Sequence, residues 1–330
     1  MRVDPPVSEV VRPHEQADPV AAVLAARATG LLLALPTSGT TARGGREVVR
    51  TTDSWWDSFD AYSHLAGVGA GSRVWVPGPL TSTMNLFAAV HAGAVGAEVV
   101  DVPDAATDAC LTPTQLDQHL DRLPTGLRVV VAGAALRPDL ARRAGSFGVR
   151  LSHYYGAAEL SFVAWGDDGA PLQPFPGVEV ETRADPVAGT LWVRSAYLCQ
   201  GYAGPAGSLR VDALGWATVG DLGAVGPAGV SVHGRPDAII TGGACVLIAD
   251  VEAALRPVAA GEFAVHATSH AQLGQVVTVT MVEASDRARL EDHARAMLPT
   301  THRPRRWRVV DALPLTAAGK LDRRTLEDGQ

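Results

Sequence analysis

The chain has 330 residues, 47% hydrophobic and 19% charged, a globular balance at a length that argues for two or three packed units. A net charge of −7 excludes the basic footprint of a nucleic-acid binder. Cys110, Cys199 and Cys245 are too scattered for a zinc site or a disulfide framework, and no secretory leader or uninterrupted apolar run of about 18 residues is present, so a cytoplasmic protein without a membrane span is expected.

Residues 1–29, polar and proline-rich at their start, read as an N-terminal extension. Residues 31–36 (LLLALP) read as a buried strand running into a Ser/Thr/Gly turn, and 72–78 (SRVWVPG) as a second strand. A helix over 84–95 and a strand over 97–102 follow. Residues 112–123 carry a proline just inside the start of an amphipathic helix. Strand, helix and strand continue over 127–133, 136–145 and 149–156. This βαβ rhythm over 30–166 predicts an α/β unit with a largely parallel sheet and flanking helices. From 167 to 236 short strands alternate with Gly, Pro and Asp turns, which predicts a small antiparallel β subdomain. Residues 237–330 read as a compact α+β domain.

Of the 28 basic residues, 27 are arginine and only Lys320 is lysine. Where arginine is used wherever a positive charge suffices, a surviving lysine marks a place for a compact charge on a flexible stem rather than a planar fork.

Four segments carry candidate chemistry. Residues 36–52 (PTSGTTARGGREVVRTT) follow a strand with small residues whose backbone N–H groups and hydroxyls can approach a phosphate chain, although GxxxxGK[ST] is absent. Residues 154–159 (YYGAAE) end a strand of the βαβ series, the side on which α/β sheets bind ligands; Tyr155 can stack on a base and Glu159 can hold a phosphate-bound magnesium ion. Residues 215–223 (GWATVGDLG) and 234–237 (GRPD) offer Asp221 to ribose hydroxyls and Arg235 to ribose or phosphate. Residues 313–326 (LPLTAAGKLDRRTL) present Lys320 on a Pro-Thr-Gly turn. Singly, each also fits an ordinary surface turn.

In this order the segments resemble the adenylate-forming (AMP-binding) superfamily of acyl-CoA synthetases, peptide-synthetase adenylation domains and luciferases. The family's phosphate loop, Tyr-Gly-x-x-Glu, Thr-Gly-Asp, Gly-Arg-x-Asp and Pro-x-Thr-x-x-Gly-Lys motifs correspond to 37–42, 155–159, 219–221, 234–237 and 314–320. The resemblance covers about residues 30–326 and implies ATP-dependent activation of a carboxylic acid to acyl-AMP, followed by transfer to a thiol. It places Ser38, Thr40 and Thr41 on the β- and γ-phosphates, Tyr155 on adenine, Asp221 on ribose, Arg235 on ribose or phosphate, and Glu159 on Mg2+, with Thr37, Gly39, Arg46 and Gly156 also in the nucleotide site. It makes Lys320 the residue that bridges the carboxylate and the α-phosphate, and Asp237 the hinge of a mobile C-terminal domain. Gly242 and Gly243 resemble the glycines past which a pantetheine arm runs, which points to coenzyme A or a phosphopantetheinyl carrier protein as acceptor. Ser82, Ala157 and Phe162 are expected in the acyl pocket, whose uncharged walls suit an aliphatic or aryl acid.

Departures are local. The loop's last glycine is Ala42, Arg46 stands in for a lysine after a one-residue insertion, and two family threonines are Ala158 and Val219. Each lost hydrogen bond is worth about 0.5–1.5 kcal/mol, enough to slow an enzyme rather than abolish it. Only about 36 residues precede the phosphate loop, fewer than in the family, so either the acyl pocket is expected to be more open or a partner, a carrier protein or a second subunit, completes it. An acyl-AMP ligase that loads a carrier protein and a non-catalytic adenylate-binding protein are the alternatives to an acyl-CoA ligase.

Overall fold

The computed structural model describes residues 9–37, 46–183, 189–204, 206–234, 238–314 and 323–328. The described residues through Gly234 form one compact unit and those from Ala238 a second.

The first unit begins with β1 (Val10–Val11), helix α1 (Pro19–Thr29), β2 (Leu32–Pro36) and β3 (Glu47–Arg50). Asp18 caps α1 through the Ala21 N–H, Pro19 fits its first turn, and Gly30 closes it at φ 71°. Residues 10–29 are therefore part of the fold rather than an extension: β1 pairs parallel with β2, and Val23 and Ala26 of α1 are fully buried. β2 also departs from the expected parallel sheet. It pairs antiparallel with β3, with Pro36 opposite Glu47, and the connection between them is shorter than the crossover of roughly a dozen residues that a parallel pair needs.

Helix α2 (Asp53–Ala66), which the strand–helix rhythm does not announce, buries Trp55, Phe59 and Tyr62 at helical spacing. Strand β4 (Arg73–Trp75), helix α3 (Thr83–Ala94), β5 (Glu98–Val100), β6 (Asp108–Leu111), α4 (Pro113–His119), β7 (Arg128–Val131), α5 (Pro138–Ser146) and β8 (Arg150–Ala157) follow the expected alternation. A capping box between Thr112 and Gln115 starts α4. Strands β9 (Ser161–Asp167) and β10 (Gln173–Pro174) complete a seven-stranded sheet in the order β10-β9-β8-β7-β6-β4-β5. The run from β5 to β8 is parallel; β9 and β10 add antiparallel strands at the other edge. Its parallel strands read as near-continuous apolar runs because both faces are covered, as in Val129–Val131, each 4% exposed or less.

The next strands are short: β11 (Glu179–Arg183), β12 (Gly189–Arg194), β13 (Gly201–Ala203), β14 (Arg210–Val211), β15 (Ala217–Thr218), β16 (Leu222–Gly226) and β17 (Gly229–Gly234). β13 pairs antiparallel with β3 and completes a four-stranded sheet, β1-β2-β3-β13. The others form the expected antiparallel sheet around β12.

In the second unit, β18 (Ala238–Thr241), β19 (Ala244–Leu247), β20 (Phe263–His270), β21 (Gly274–Met281) and β22 (Arg306–Val309) form one sheet, accompanied by α6 (Ile248–Leu255), α7 (Asp286–Met297) and α8 (Arg323–Asp328). One face of the β20–β21 pair carries Phe263, Val265, Val277, Val279 and Met281, which share a core with Val251, Leu255 and Leu290 of the helices. Burying each such side chain contributes roughly 1.5–3 kcal/mol before the entropy of ordering the chain is counted.

Candidate active site

The carboxyl end of β8 turns directly into β9 through a tight hairpin in which Ala157 pairs with Ser161 and the Leu160 N–H donates to the Ala157 carbonyl at 3.0 Å. Gly156 is required here: a Cβ on it would stand 2.1 Å from the Ser161 carbonyl oxygen. Ser161 leaves the turn at φ 58°. The hairpin projects Glu159 at the strand end where α/β sheets hold ligands.

Two carboxylates meet tyrosine hydroxyls in this region. The Tyr155 hydroxyl donates to Asp221 Oδ2 at 2.7 Å, joining the end of β8 to the turn before β16. The Tyr202 hydroxyl, from β13, donates to Glu159 Oε1 at 2.7 Å and accepts from the Leu209 N–H at 3.1 Å. Burial, together with the Glu159 charge, raises the Tyr202 pKa, so this hydroxyl stays a donor. The Cys199 N–H donates to the Glu159 carbonyl at 2.9 Å, and burial pushes the Cys199 thiol up to about 11, which keeps it protonated and inert.

Thr37 and Arg46 close the base of the phosphate-loop segment. The Thr37 N–H donates to the Arg46 carbonyl at 3.1 Å, extending the β2–β3 ladder, and Arg46 Nε donates to the Ala206 carbonyl at 3.2 Å. Beside them, Thr83 Oγ1 donates to the Pro36 carbonyl at 2.8 Å and fixes the start of α3, for which Ser82 is the N-cap residue. Ser38, Gly39, Thr40, Thr41, Arg235, Asp237 and Lys320 lie outside the described residues.

Of the expected acyl-pocket residues, Ser82 and Ala157 are half-buried. Phe162 is instead a core residue. It is 4% exposed, and its ring lies 4.8 Å from Phe175, 5.0 Å from Phe87 and 4.7 Å from Tyr154. Its position on β9, inside an apolar strand, is what carries it inward. Gly242 and Gly243 form the two-residue turn between β18 and β19, with φ values of 56° and 87°. Both angles are those of a type I′ hairpin, a turn that favours glycine at both positions.

Arg50 is the residue that sequence reading missed. It is fully buried at the end of β3 and donates to the Ala158 carbonyl at 2.7 Å and to Ser161 Oγ at 2.6 Å. The available signal was an arginine placed directly after two apolar strand residues, Val48 and Val49.

Glu159 also passes a test of fit for magnesium. One of its oxygens takes the Tyr202 hydroxyl, and no cation lies within ion-pair distance of its carboxylate among the described residues. No group of three metal-ligating side chains occurs among the described residues. A lone carboxylate with substrate phosphates is a usual arrangement for this ion. No helix of the described residues is long and apolar enough to cross a membrane. A separate cavity of about 510 Å3, lined in part by Gly69, Ser72, Thr107 and Arg128, lies at the amino end of the parallel strands and holds none of the candidate residues.

Comparison with known proteins gives three kinds of match. The AMP-binding enzyme C-terminal domain family matches residues 250–320. A probable 2-succinylbenzoate–CoA ligase of Mycobacterium tuberculosis (strain CDC 1551 / Oshkosh) is 30% identical over 297 residues, covering 83% of this chain and 73% of that protein. A salicylyl-CoA synthase / salicylate adenylyltransferase from Streptomyces sp is 32% identical over 234 residues, covering 62% of this chain and 42% of that protein. Among solved structures, the amide bond synthetase McbA from Marinactinospora thermotolerans superposes with a TM-score of 0.75 at 27% identity, covering 90% of this chain and 68% of that one.

Proposed function

The chain belongs to the AMP-binding family of adenylate-forming acid–thiol ligases, and from that premise we propose that it activates an aryl carboxylic acid with ATP and passes the acyl group to coenzyme A. The observation that carries this reading is the meeting of Tyr155 with Asp221, 2.7 Å apart, beside the Glu159 hairpin at the carboxyl end of the parallel strands. An aryl acid is preferred to an aliphatic one because the relatives named above act on 2-succinylbenzoate and salicylate.

In the first half-reaction the substrate carboxylate oxygen attacks the α-phosphorus of ATP. The new P–O bond forms as the bond to the β-phosphate oxygen breaks, and pyrophosphate leaves. Such a step is accelerated chiefly by positioning and by neutralising negative charge. Thr37 to Thr41 and Arg46 hold the phosphates, Tyr155 stacks on adenine, and Asp221 and Arg235 bind ribose. Lys320 bridges the attacking carboxylate and the α-phosphate and stabilises charge that grows in the transition state. Glu159 would hold a magnesium ion, which when bound would neutralise part of the phosphate charge. In the second half-reaction the thiolate sulfur attacks the acyl carbon, a C–S bond forms, the C–O bond to the phosphate breaks, and AMP leaves. Asp237 acts as the hinge for the domain that carries Lys320, and Gly242 and Gly243 flank the thiol arm.

Carboxylate-dependent ATP–pyrophosphate exchange tests the reading across a panel of aryl and aliphatic acids, with Lys320→Ala as control. Exchange with an aryl acid, lost in the control, is expected. No exchange with any acid favours a non-catalytic adenylate-binding protein, and exchange that survives Lys320→Ala sinks the role given to the lysine. A second acceptor is favoured by the likeness to an amide bond synthetase. Product analysis with coenzyme A, a phosphopantetheinyl carrier protein and a primary amine in parallel separates thioester from amide formation.

A further inference from the structure

Arg50 presents a physical problem that the reading above does not use. A guanidinium stays protonated in proteins, and burying a charge costs several kcal/mol unless it is paired or fully hydrogen-bonded. Arg50 has no exposed surface, yet among the described residues it has no carboxylate within ion-pair distance. Its donors go to uncharged oxygens: Ser161 Oγ at 2.6 Å, the Ala158 carbonyl at 2.7 Å, Ser54 Oγ at 3.3 Å and the Tyr197 carbonyl at 3.5 Å. Its Nε is buried with no acceptor. Burial lowers the Arg50 pKa, and the nearby Cys199 and Glu159 groups oppose that shift.

The two shortest of these bonds fall on either side of Glu159, one to the residue before it and one to the second residue after it. The second also holds Ser161, which sits at φ 58°, where an L-residue is disfavoured. A three-residue hairpin loop left to itself would sample several conformations, and the carboxylate would have to be ordered each time nucleotide arrives.

We propose that Arg50 is a positioning residue whose buried guanidinium clamps both sides of the Glu159 loop, so that the Glu159 carboxylate is already in place for the cation that accompanies ATP. This rests on Glu159 being the magnesium carboxylate. A planar fork suits the task because Nη1 and Nη2 reach Ser161 and Ala158 at once; a lysine has a single nitrogen to serve both. The long-range attraction between Arg50 and Glu159 gives the buried cation partial compensation without a direct ion pair that would consume the carboxylate.

The test uses Arg50→Lys, Arg50→Met and Ser161→Ala in the full chain. Amide hydrogen exchange at Leu160 and Cys199, whose N–H groups bond to Ala157 and Glu159, reads the loop without any ligand. Exchange at these two amides is expected to rise about tenfold in Arg50→Lys and Ser161→Ala while Val130, in the centre of β7, is unchanged. Mn2+ binding in the presence of ATP, followed by electron paramagnetic resonance, is expected to weaken by about 10- to 100-fold in Arg50→Lys, as for other residues that orient a metal ligand. In the exchange assay the Mg2+ concentration for half-maximal rate should rise while the rate at saturating Mg2+ recovers. Wild-type exchange at Leu160 and Cys199 in both Arg50→Lys and Ser161→Ala overturns the clamp. Loosened amides with unaltered Mn2+ affinity overturn its link to the cation. Should Arg50→Met fail to fold, the other two variants decide. If the wild-type chain binds Mn2+ and ATP but activates no acid, the proposed function fails while the binding and exchange measurements still judge Arg50; a chain that binds neither overturns both.

Discussion

The two ends of the parallel strands treat their carboxylates in opposite ways, Asp108 being buried and Glu159 half-buried. At the amino end, Asp108 opens β6 beside Arg128, which opens β7, and the two lie in register. Arg128 grips both oxygens of Asp108, at 2.6 Å and 2.9 Å, and Thr107 donates to the same carboxylate at 2.6 Å. The Asp108 carboxylate in turn pushes the Arg128 guanidinium up. At the carboxyl end, Glu159 receives a tyrosine hydroxyl at 2.7 Å, and Arg50 bonds the Ala158 carbonyl and Ser161 Oγ on either side of it rather than the carboxylate. A carboxylate in a bidentate pair has its charge spent on the fold, whereas one held by a neutral hydroxyl is oriented and keeps its charge for an incoming cation.

Substitution at the two ends should therefore separate activity from stability. Glu159→Gln is expected to lower ATP–pyrophosphate exchange by about 100-fold or more, with little change in the unfolding midpoint, since Tyr202 retains an acceptor. An unfolding shift comparable to the activity loss would break the contrast. His91, 1% exposed and bonded to Ser63 Oγ at 2.8 Å, offers a pH-dependent third case. Burial lowers its pKa from 6.5 to about 4, so the fold favours the neutral ring. The unfolded chain then binds the extra proton more tightly between about pH 6.5 and 4, and stability present above that window falls as pH drops through it, by roughly 3 kcal/mol at most. Urea unfolding at pH 7 and pH 4.5 checks this, and a His91→Asn variant should show a flatter profile.

Asp108→Asn should destabilise by about 1–3 kcal/mol, below the figure for a fully buried pair because the Arg128 side chain is 37% exposed, and should leave the exchange rate of folded protein unchanged. A loss of activity without loss of stability would erase the distinction between the two ends. The smallest effect is expected in the second unit, where Gly242→Ala imposes φ 56° on an L-residue with Leu273 Cδ2 3.3 Å from the new methyl. A cost of about 1 kcal/mol, read by chemical denaturation, would sharpen the case that the glycine pair serves the hairpin.

Much of the first unit was legible in the chain. Proline at the start of α4 and α5 and apolar runs such as RVVV announce the strand–helix alternation, because these signals act over one or two turns. The hairpin between β2 and β3 was not, since an apolar strand before a Gly-rich loop reads the same whether the chain crosses over or doubles back. Phe162 shows a related blindness: composition gives an aromatic after a motif, but only sheet packing decides that it enters a ring of Phe87, Tyr154 and Phe175.

What the sequence determined by itself is the set of chemical groups and their order, from the Ser/Thr/Gly loop through Tyr155, Glu159 and Asp221 to the single lysine at 320. Tertiary structure alone decided which of them meet. Tyr155 bonds to a residue 66 positions away, Glu159 to one 43 away, and Arg50 to one 111 away. Spacing along the chain governs turns and helix faces, but these pairs join strands and turns belonging to different sheets, and their distances follow from how the sheets pack against a shared core. The buried guanidinium beneath Glu159 exists only at that level, where the energy of desolvating a charge is set by the surroundings that folding brings to it.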